Sequence, residues 1–171
     1  MEENKLLLSE LYVAFFNRAP DSEGLNYWLN EIDTRLLTFE QLSMNWANEQ
    51  QEFVDNYGTE INYETFIPQV YTNVLGREPD SEGLNYWLGD LNAGNVRSDN
   101  FIQAIINGAK ADTGSANDSS FLSNRAEIGV AVADAGISDI VSSWGTLEDD
   151  NITISDLGNN NKDAVKVFDI A

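Results

Sequence analysis

The chain has 171 residues, of which 42% are hydrophobic, with four Trp, six Tyr and eight Phe, so it is long and apolar enough to bury a core and is not a disordered segment. Nine Lys and Arg stand against 29 Asp and Glu, a net charge of −20 that repels nucleic acid and anionic membrane surfaces and draws in divalent cations. Cysteine and histidine are both absent, which excludes disulfides, thiolate chemistry, imidazole general bases and the commonest transition-metal ligand.

The N-terminal residues Met1-Glu2-Glu3-Asn4 lack the basic flank of a cleavable signal, and no run has the length and apolarity of a membrane span. Leu8, Leu11, Tyr12 and Phe15 form one helical stripe, and that helix is expected to end near Phe16, ahead of Pro20. Asp21 is a candidate N-cap with Glu23 in the first turn, opening a helix with the stripe Leu25, Trp28, Leu29, Ile32. Thr38-Phe39-Glu40-Gln41 has the form of a capping box. It starts a third helix that buries Phe39, Leu42 and Trp46 and runs on toward Phe53.

A second set of three helices follows in the same order. Ile67, Val70, Tyr71 and Val74 form the first stripe, with Gly76 as its stop and Pro68 expected in the first turn. Leu84, Trp87, Leu88 and Leu91 form the second, ending in the turn Ala93-Gly94-Asn95. Ser98 is read as the cap of a third helix carrying Phe101, Ile102, Ile105 and Ile106. Residues 111 to 118 read as a loop, and Ser119 to Ala135 as a longer helix with Gly136 as its stop. Beyond it, Leu147 to Asn151 reads as an acidic turn, Asn151 to Asp156 as an extended segment, and Lys162 to Ile170 as a short helix.

The two sets share a perfect repeat. Pro20 to Leu29 and Pro79 to Leu88 are the same ten residues, Pro-Asp-Ser-Glu-Gly-Leu-Asn-Tyr-Trp-Leu, offset by 59 positions (79 − 20). The fold expected is therefore all-α: a duplicated three-helix unit packed as one helical domain of about seven to eight helices. Residues 1–137 form that domain, with units at about 5–58 and 63–110 plus the helix 119–135. Residues 138–171 are expected to form a C-terminal extension, short helix or extended, that starts a linker to a downstream region.

Most of the repeat has a structural reading. Pro20 and Pro79 fix φ, Asp21 and Asp80 cap, and Arg18 and Arg77 reach a carboxylate or the last carbonyls of the preceding helix. Gly24 and Gly83 cost about 1 kcal/mol each within a helix, which points to close approach of another backbone. Trp28 and Trp87 lie on the apolar stripes and read as core. The functional reading is narrower. Asn26 with Tyr27, and Asn85 with Tyr86, sit on the stripe margins, where an aromatic face beside an amide suits stacking and hydrogen bonding to a sugar, or simple boundary packing. Asp21, Glu23, Asp80 and Glu82 are candidate calcium ligands, but two carboxylates per site fall short of the six to eight oxygens calcium takes. No nucleophile elbow, P-loop, dinucleotide turn or zinc spacing is present, so the chain is read as non-enzymatic.

The pattern carried by Leu11, Tyr12, Phe16, Arg18, Pro20, Asp21, Gly24, Leu25, Tyr27 and Trp28 resembles a bacterial domain of unknown function found in surface-layer (S-layer) and RTX-type, type I secreted proteins. Val70, Tyr71, Leu75, Arg77, Pro79, Asp80, Gly83, Leu84, Tyr86 and Trp87 carry it again, and the resemblance spans roughly residues 5 to 137. It implies similarity to the N-terminal lipopolysaccharide-anchoring region of Gram-negative S-layer proteins. The implied role is a cell-surface, extracellular module that binds surface polysaccharide of the O-antigen type, exported without an N-terminal signal peptide. Its implied partners are that polysaccharide, neighbouring domains and copies of the same protein, with no nucleic acid and no membrane insertion. No cofactor is expected beyond calcium. A weaker similarity to phycobilisome linker domains implies the alternative, a protein–protein assembly module. At −20 the chain would repel anionic lipopolysaccharide, so the target is a neutral outer polysaccharide or one bridged by calcium.

Overall fold

A computed structural model describes residues 2–112 and 114–134. Among these, eight helices and no strands are found: α1 (Glu2–Phe16), α2 (Ser22–Arg35), α3 (Phe39–Glu49), α4 (Gln51–Tyr57), α5 (Tyr63–Leu75), α6 (Ser81–Ala93), α7 (Ser98–Lys110) and α8 (Ala116–Asp134). The all-α expectation holds. The acidic turn, extended segment and last helix expected beyond 137, and the stop at Gly136, lie outside the described residues.

The 59-residue offset found in the decapeptide holds for the helices too. Adding it to α2 (22–35) gives 81–94 against α6 at 81–93, and adding it to α3 (39–49) gives 98–108 against α7 at 98–110. Unit 1 is therefore α1–α3 and unit 2 is α5–α7. Equivalent helices pack on each other, α1 on α5 and α3 on α7. Asn73 Nδ2 donates to Ala14 O at 3.4 Å, and these two positions are themselves 59 apart, as expected where a two-fold relation brings a site against its own counterpart. Each unit alone leaves one apolar face of its first and third helices uncovered, and pairing covers both.

Both units end their first helix with a residue in the left-handed region, Asn17 at φ 52° and Gly76 at φ 69°. Several boundaries differ from the sequence reading. The third helix does not run on to Phe53: it breaks at Gln50, whose ψ of 123° is extended, and α4 starts afresh. Asn62 caps α5 through Glu64 N–H, which starts that helix early and puts Pro68 in its second turn. There the proline forgoes one intrahelical donor without ending the helix. Arg97, not Ser98, occupies the N-cap of α7, and no side chain caps it. Finally, α8 starts at Ala116 rather than 119, which brings Asp118 into its first turn.

Helix α8 closes the domain. It lies along α1 and also touches α2, α5 and α7. A Cβ at Gly129 would stand 2.3 Å from Ser9 Oγ, so only glycine allows α1 and α8 to come this close, and Ser9 Oγ donates to Ala126 O at 2.8 Å across the same contact. Arg125 is buried and joins three helices. Its Nη1 donates to Asn73 O at 2.9 Å and its Nη2 to Asn17 Oδ1 at 2.8 Å, at the ends of α5 and α1. Burial lowers this guanidinium to about 10.

A second buried ion sits on α1. Glu10 is almost wholly enclosed and meets Lys110 of α7 at 2.7 and 3.0 Å. Burial holds its carboxyl above the usual carboxylate range, with Lys110 pulling the other way. The folded chain therefore binds this proton more tightly than the unfolded chain. Glu10's contribution to stability is full below the unfolded carboxylate range and is lost as pH rises through the folded value. Glu10→Gln is expected to gain on the parent as pH is raised from 4 toward 7. Urea midpoints of both proteins across that range measure it, and a constant difference between them would contradict this reading.

Candidate functional site

Each copy of the repeat builds a corner between the first and second helices of its unit. Asp21 Oδ1 accepts Gly24 N–H, and Asp80 Oδ1 accepts Gly83 N–H, both at 2.7 Å. Each cap stabilises its helix by about 1 kcal/mol. The glycine after it is roofed by a tyrosine hydroxyl from the preceding helix, not by a backbone as the sequence suggested. A Cβ at Gly24 would stand 2.5 Å from Tyr12 Oη, and one at Gly83 would stand 3.3 Å from Tyr71 Oη. Trp87 Nε1 donates to Tyr71 Oη at 2.9 Å, and Trp28 holds the matching position beside Tyr12 in unit 1. That bond explains a second departure: Trp28 and Trp87 are half-buried against the core rather than inside it, because the indole edge must reach the hydroxyl.

The arginines complete the corner. Arg18 lies 5.0 Å from the Tyr12 ring centre and Arg77 lies 5.6 Å from that of Tyr71. Arg18 forms a two-pronged pair with Glu52 of α4 at 2.6 and 2.9 Å, and Arg77 one with Asp118 of α8 at 2.9 and 2.7 Å. Both acids come from the helix that follows the third helix of the unit, so α4 and α8 play equivalent parts. The expectation that these arginines bond locally holds in part: Arg18 Nη1 also donates to Ala19 O at 3.0 Å and stands 3.5 Å from Asp21 Oδ2. Burial, and then the Asp21 carboxylate, push the Tyr12 hydroxyl well above the usual phenol range.

The candidate calcium ligands thus have structural roles or stand apart. Asp21 and Asp80 are committed as caps. Glu23 and Glu82 are exposed in the first turns of α2 and α6. Among the described residues, no three His, Cys, Asp or Glu side chains converge as a metal site.

The candidate sugar-binding residues are all on the surface. Asn26 and Asn85 are exposed, and Tyr27 and Tyr86 are 55% and 59% exposed. Each tyrosine is braced edge-on by its neighbouring tryptophan, with ring centres 5.0 Å apart in both pairs. The two pairs lie on different outer helices. Helix α2 packs on α1 and α8, whereas α6 packs on α5. Their surroundings differ too. Tyr86 hydrogen-bonds Asp90, which raises its hydroxyl above the ordinary value. Tyr27 instead borders an open groove of about 590 Å³ between α2 and α3, with Trp28, Glu31, Arg35, Leu37, Gln41, Asn45, Glu49 and Gln50. Asn26, Asn85 and Tyr86 are not among its walls. Sequence reasoning singled out Tyr27, read Gln41 only as part of a capping box, and missed Asn45 and Glu49 on the exposed face of the same helix.

A second groove, about 540 Å³, lies where the units meet, between α3–α4 and the α6–α7 turn. Its polar wall is Arg97 with Asp99, bonded through Nε and Nη2 of the guanidinium, and Asn48, which also donates to Asp99.

Residues 44–111 match the model of a family described as a domain of unknown function (DUF4214). The match runs from the middle of α3 to just past α7, so it takes in unit 2 and its copy of the decapeptide and leaves out the first copy. It is narrower than the span of residues 5 to 137 over which the resemblance was read. No curated protein and no solved structure matches the chain.

The unequal space above the two glycines gives a differential test of the corner. Gly24→Ala is expected to destabilise by about 1–3 kcal/mol, since the braced Tyr12 must shift. Gly83→Ala is expected to change stability by less than about 1 kcal/mol, because helix propensity offsets a tight but tolerable contact. Denaturation midpoints of the two variants decide it, and equal effects would mean that the Tyr12 contact does not set the corner.

Proposed function

We propose that this chain is a non-catalytic, cell-surface module that binds surface polysaccharide and anchors a secreted protein of the S-layer or RTX type. The observation that carries this reading is the presentation of Tyr27 and Tyr86. Large aromatic side chains braced by a tryptophan yet more than half exposed are placed to receive a ligand, and a pyranose ring offers the apolar face that such a platform takes. Asn26 and Asn85 beside them supply amide donors and acceptors for hydroxyl groups. The resemblance of the repeated motif to S-layer and RTX-type proteins supplies the setting. The charge of −20 narrows the ligand to a neutral outer polysaccharide, or to an anionic one reached through calcium.

The test is binding of the whole chain to purified, lipid-free O-polysaccharide and to intact lipopolysaccharide, each with calcium and with a chelator. Saturable binding to the neutral polysaccharide is expected in both conditions, and no binding in any arm overturns the reading. The pairing of equivalent helices, α1 on α5 and α3 on α7, favours a second reading, an assembly module that repeats this packing with neighbouring domains. A concentration-dependent oligomer in sedimentation, without polysaccharide binding, would select it.

A further inference from the structure

We propose that the polysaccharide site is single, and that it is the α2–α3 groove of unit 1 beside Tyr27, unit 2 having lost its counterpart. The proposal rests on the polysaccharide-binding reading and adds to it where the ligand sits and how many bind.

The 59-residue offset allows a wall-by-wall comparison. Tyr27 and Trp28 correspond to Tyr86 and Trp87, and Gln41 to Asn100, so the aromatic platform and one amide exist twice. Glu31 and Leu37 likewise have similar counterparts in Asp90 and Val96, but the remaining four walls do not. Arg35 corresponds to Gly94, Asn45 to Ala104, Glu49 to Gly108 and Gln50 to Ala109. Unit 2 has replaced four polar, hydrogen-bonding side chains by two alanines and two glycines. Asn100 and Ala104 border a different hollow of about 280 Å³, with Glu40, Gln103 and Asn107, and Tyr86 is not part of its wall.

A platform alone gives contact area but little orientation, and a site is made specific by a few convergent polar groups. In unit 1 these are present. Gln41 is held by the capping box, its Oε1 accepting Thr38 N–H at 3.0 Å, so its side chain is fixed before any ligand arrives. Arg35 Nε meets Glu31 Oε2 at 2.9 Å, which offsets one charge at the groove edge. Asn45 and Glu49 are one helical turn apart on the exposed side of α3, facing the same groove. The volume of about 590 Å³ falls within the about 300–1,000 Å³ of small-ligand sites. Amides outnumber free charges there, which suits a neutral, hydroxyl-rich chain of a few sugar rings.

The experiment uses the full chain and one probe, a size-fractionated neutral O-polysaccharide oligosaccharide, titrated by calorimetry. The expected stoichiometry is one per chain. Tyr27→Ala is expected to weaken binding by about tenfold or more, as for truncation of an anchoring aromatic. Asn45→Ala, which copies unit 2, is expected to weaken it several-fold, and Asn92→Ala, on the exposed side of α6, to leave it unchanged. All three positions are exposed, so unchanged circular dichroism serves as the folding control. Two sites per chain, or Tyr27→Ala and Asn45→Ala chains that bind as tightly as the parent, overturn the single-site proposal while leaving polysaccharide binding intact. A parent chain that does not bind the probe overturns both.

Discussion

The hydroxyl of a tyrosine on the first helix of each unit, seated over a glycine at the start of the second, is the contact on which the rest of the molecule depends. It constrains the angle between those helices, most tightly in unit 1, where any side chain at Gly24 would displace the Tyr12 ring. Once the angle is set, the tryptophan one turn further on reaches the same hydroxyl, and the arginine over the tyrosine ring points at the carboxylate of a later helix. The repeat is thus a joint in which cap, roof, brace and clamp depend on one another. Such a network loses more than one contact when any member is removed. The arginine pairs are partly exposed, so their value lies more in directing α4 and α8 onto the units than in raw stability.

Because the cap, the roofed glycine and the bracing tryptophan all lie within the decapeptide, much of the identity between the copies reports on architecture. What differs between the units is where a ligand would be distinguished. The apolar faces of α3 and α7 must match each other, since those helices pack together, whereas their outward faces are free to diverge. They have diverged at the groove positions, where Asn45 and Glu49 of unit 1 stand opposite Ala104 and Gly108 in the alignment of the units.

The sequence made the helices legible because periodicity, caps and stop residues are local. Asp21, Thr38-Gln41, Gly76 and Gly94 could be placed from their immediate neighbours, and all act as expected. Apart from the shifted helix ends at Gln50, Asn62, Arg97 and Ala116, the misread features depend on distant partners. Nothing near Gly24 says that its neighbour is Tyr12, since a hydroxyl and a backbone demand the same empty space. Arg18 and Arg77 have 29 acids to choose from, and only the tertiary fold selects Glu52 and Asp118. The groove was hidden for a related reason: Gln41, Asn45 and Glu49 look like any solvated helix face until α2 is laid beside them.

The seam between α1 and α8 has a consequence for how the chain reaches its fold. Ser9 and Ala126 are 117 positions apart, and Lys5 and Asp134 are 129 apart. Helix α1 therefore finds its main partner only after nearly all of the described chain has followed. Until then its apolar stripe is covered in part, by α2, α3 and α5, and unit 1 waits in an incomplete state. Each unit forms from near neighbours, which is fast, while closure of the seam is a long loop-closing step that comes last. The molecule is assembled like a clasp, with two quick halves and a final segment that returns to the beginning to lock them.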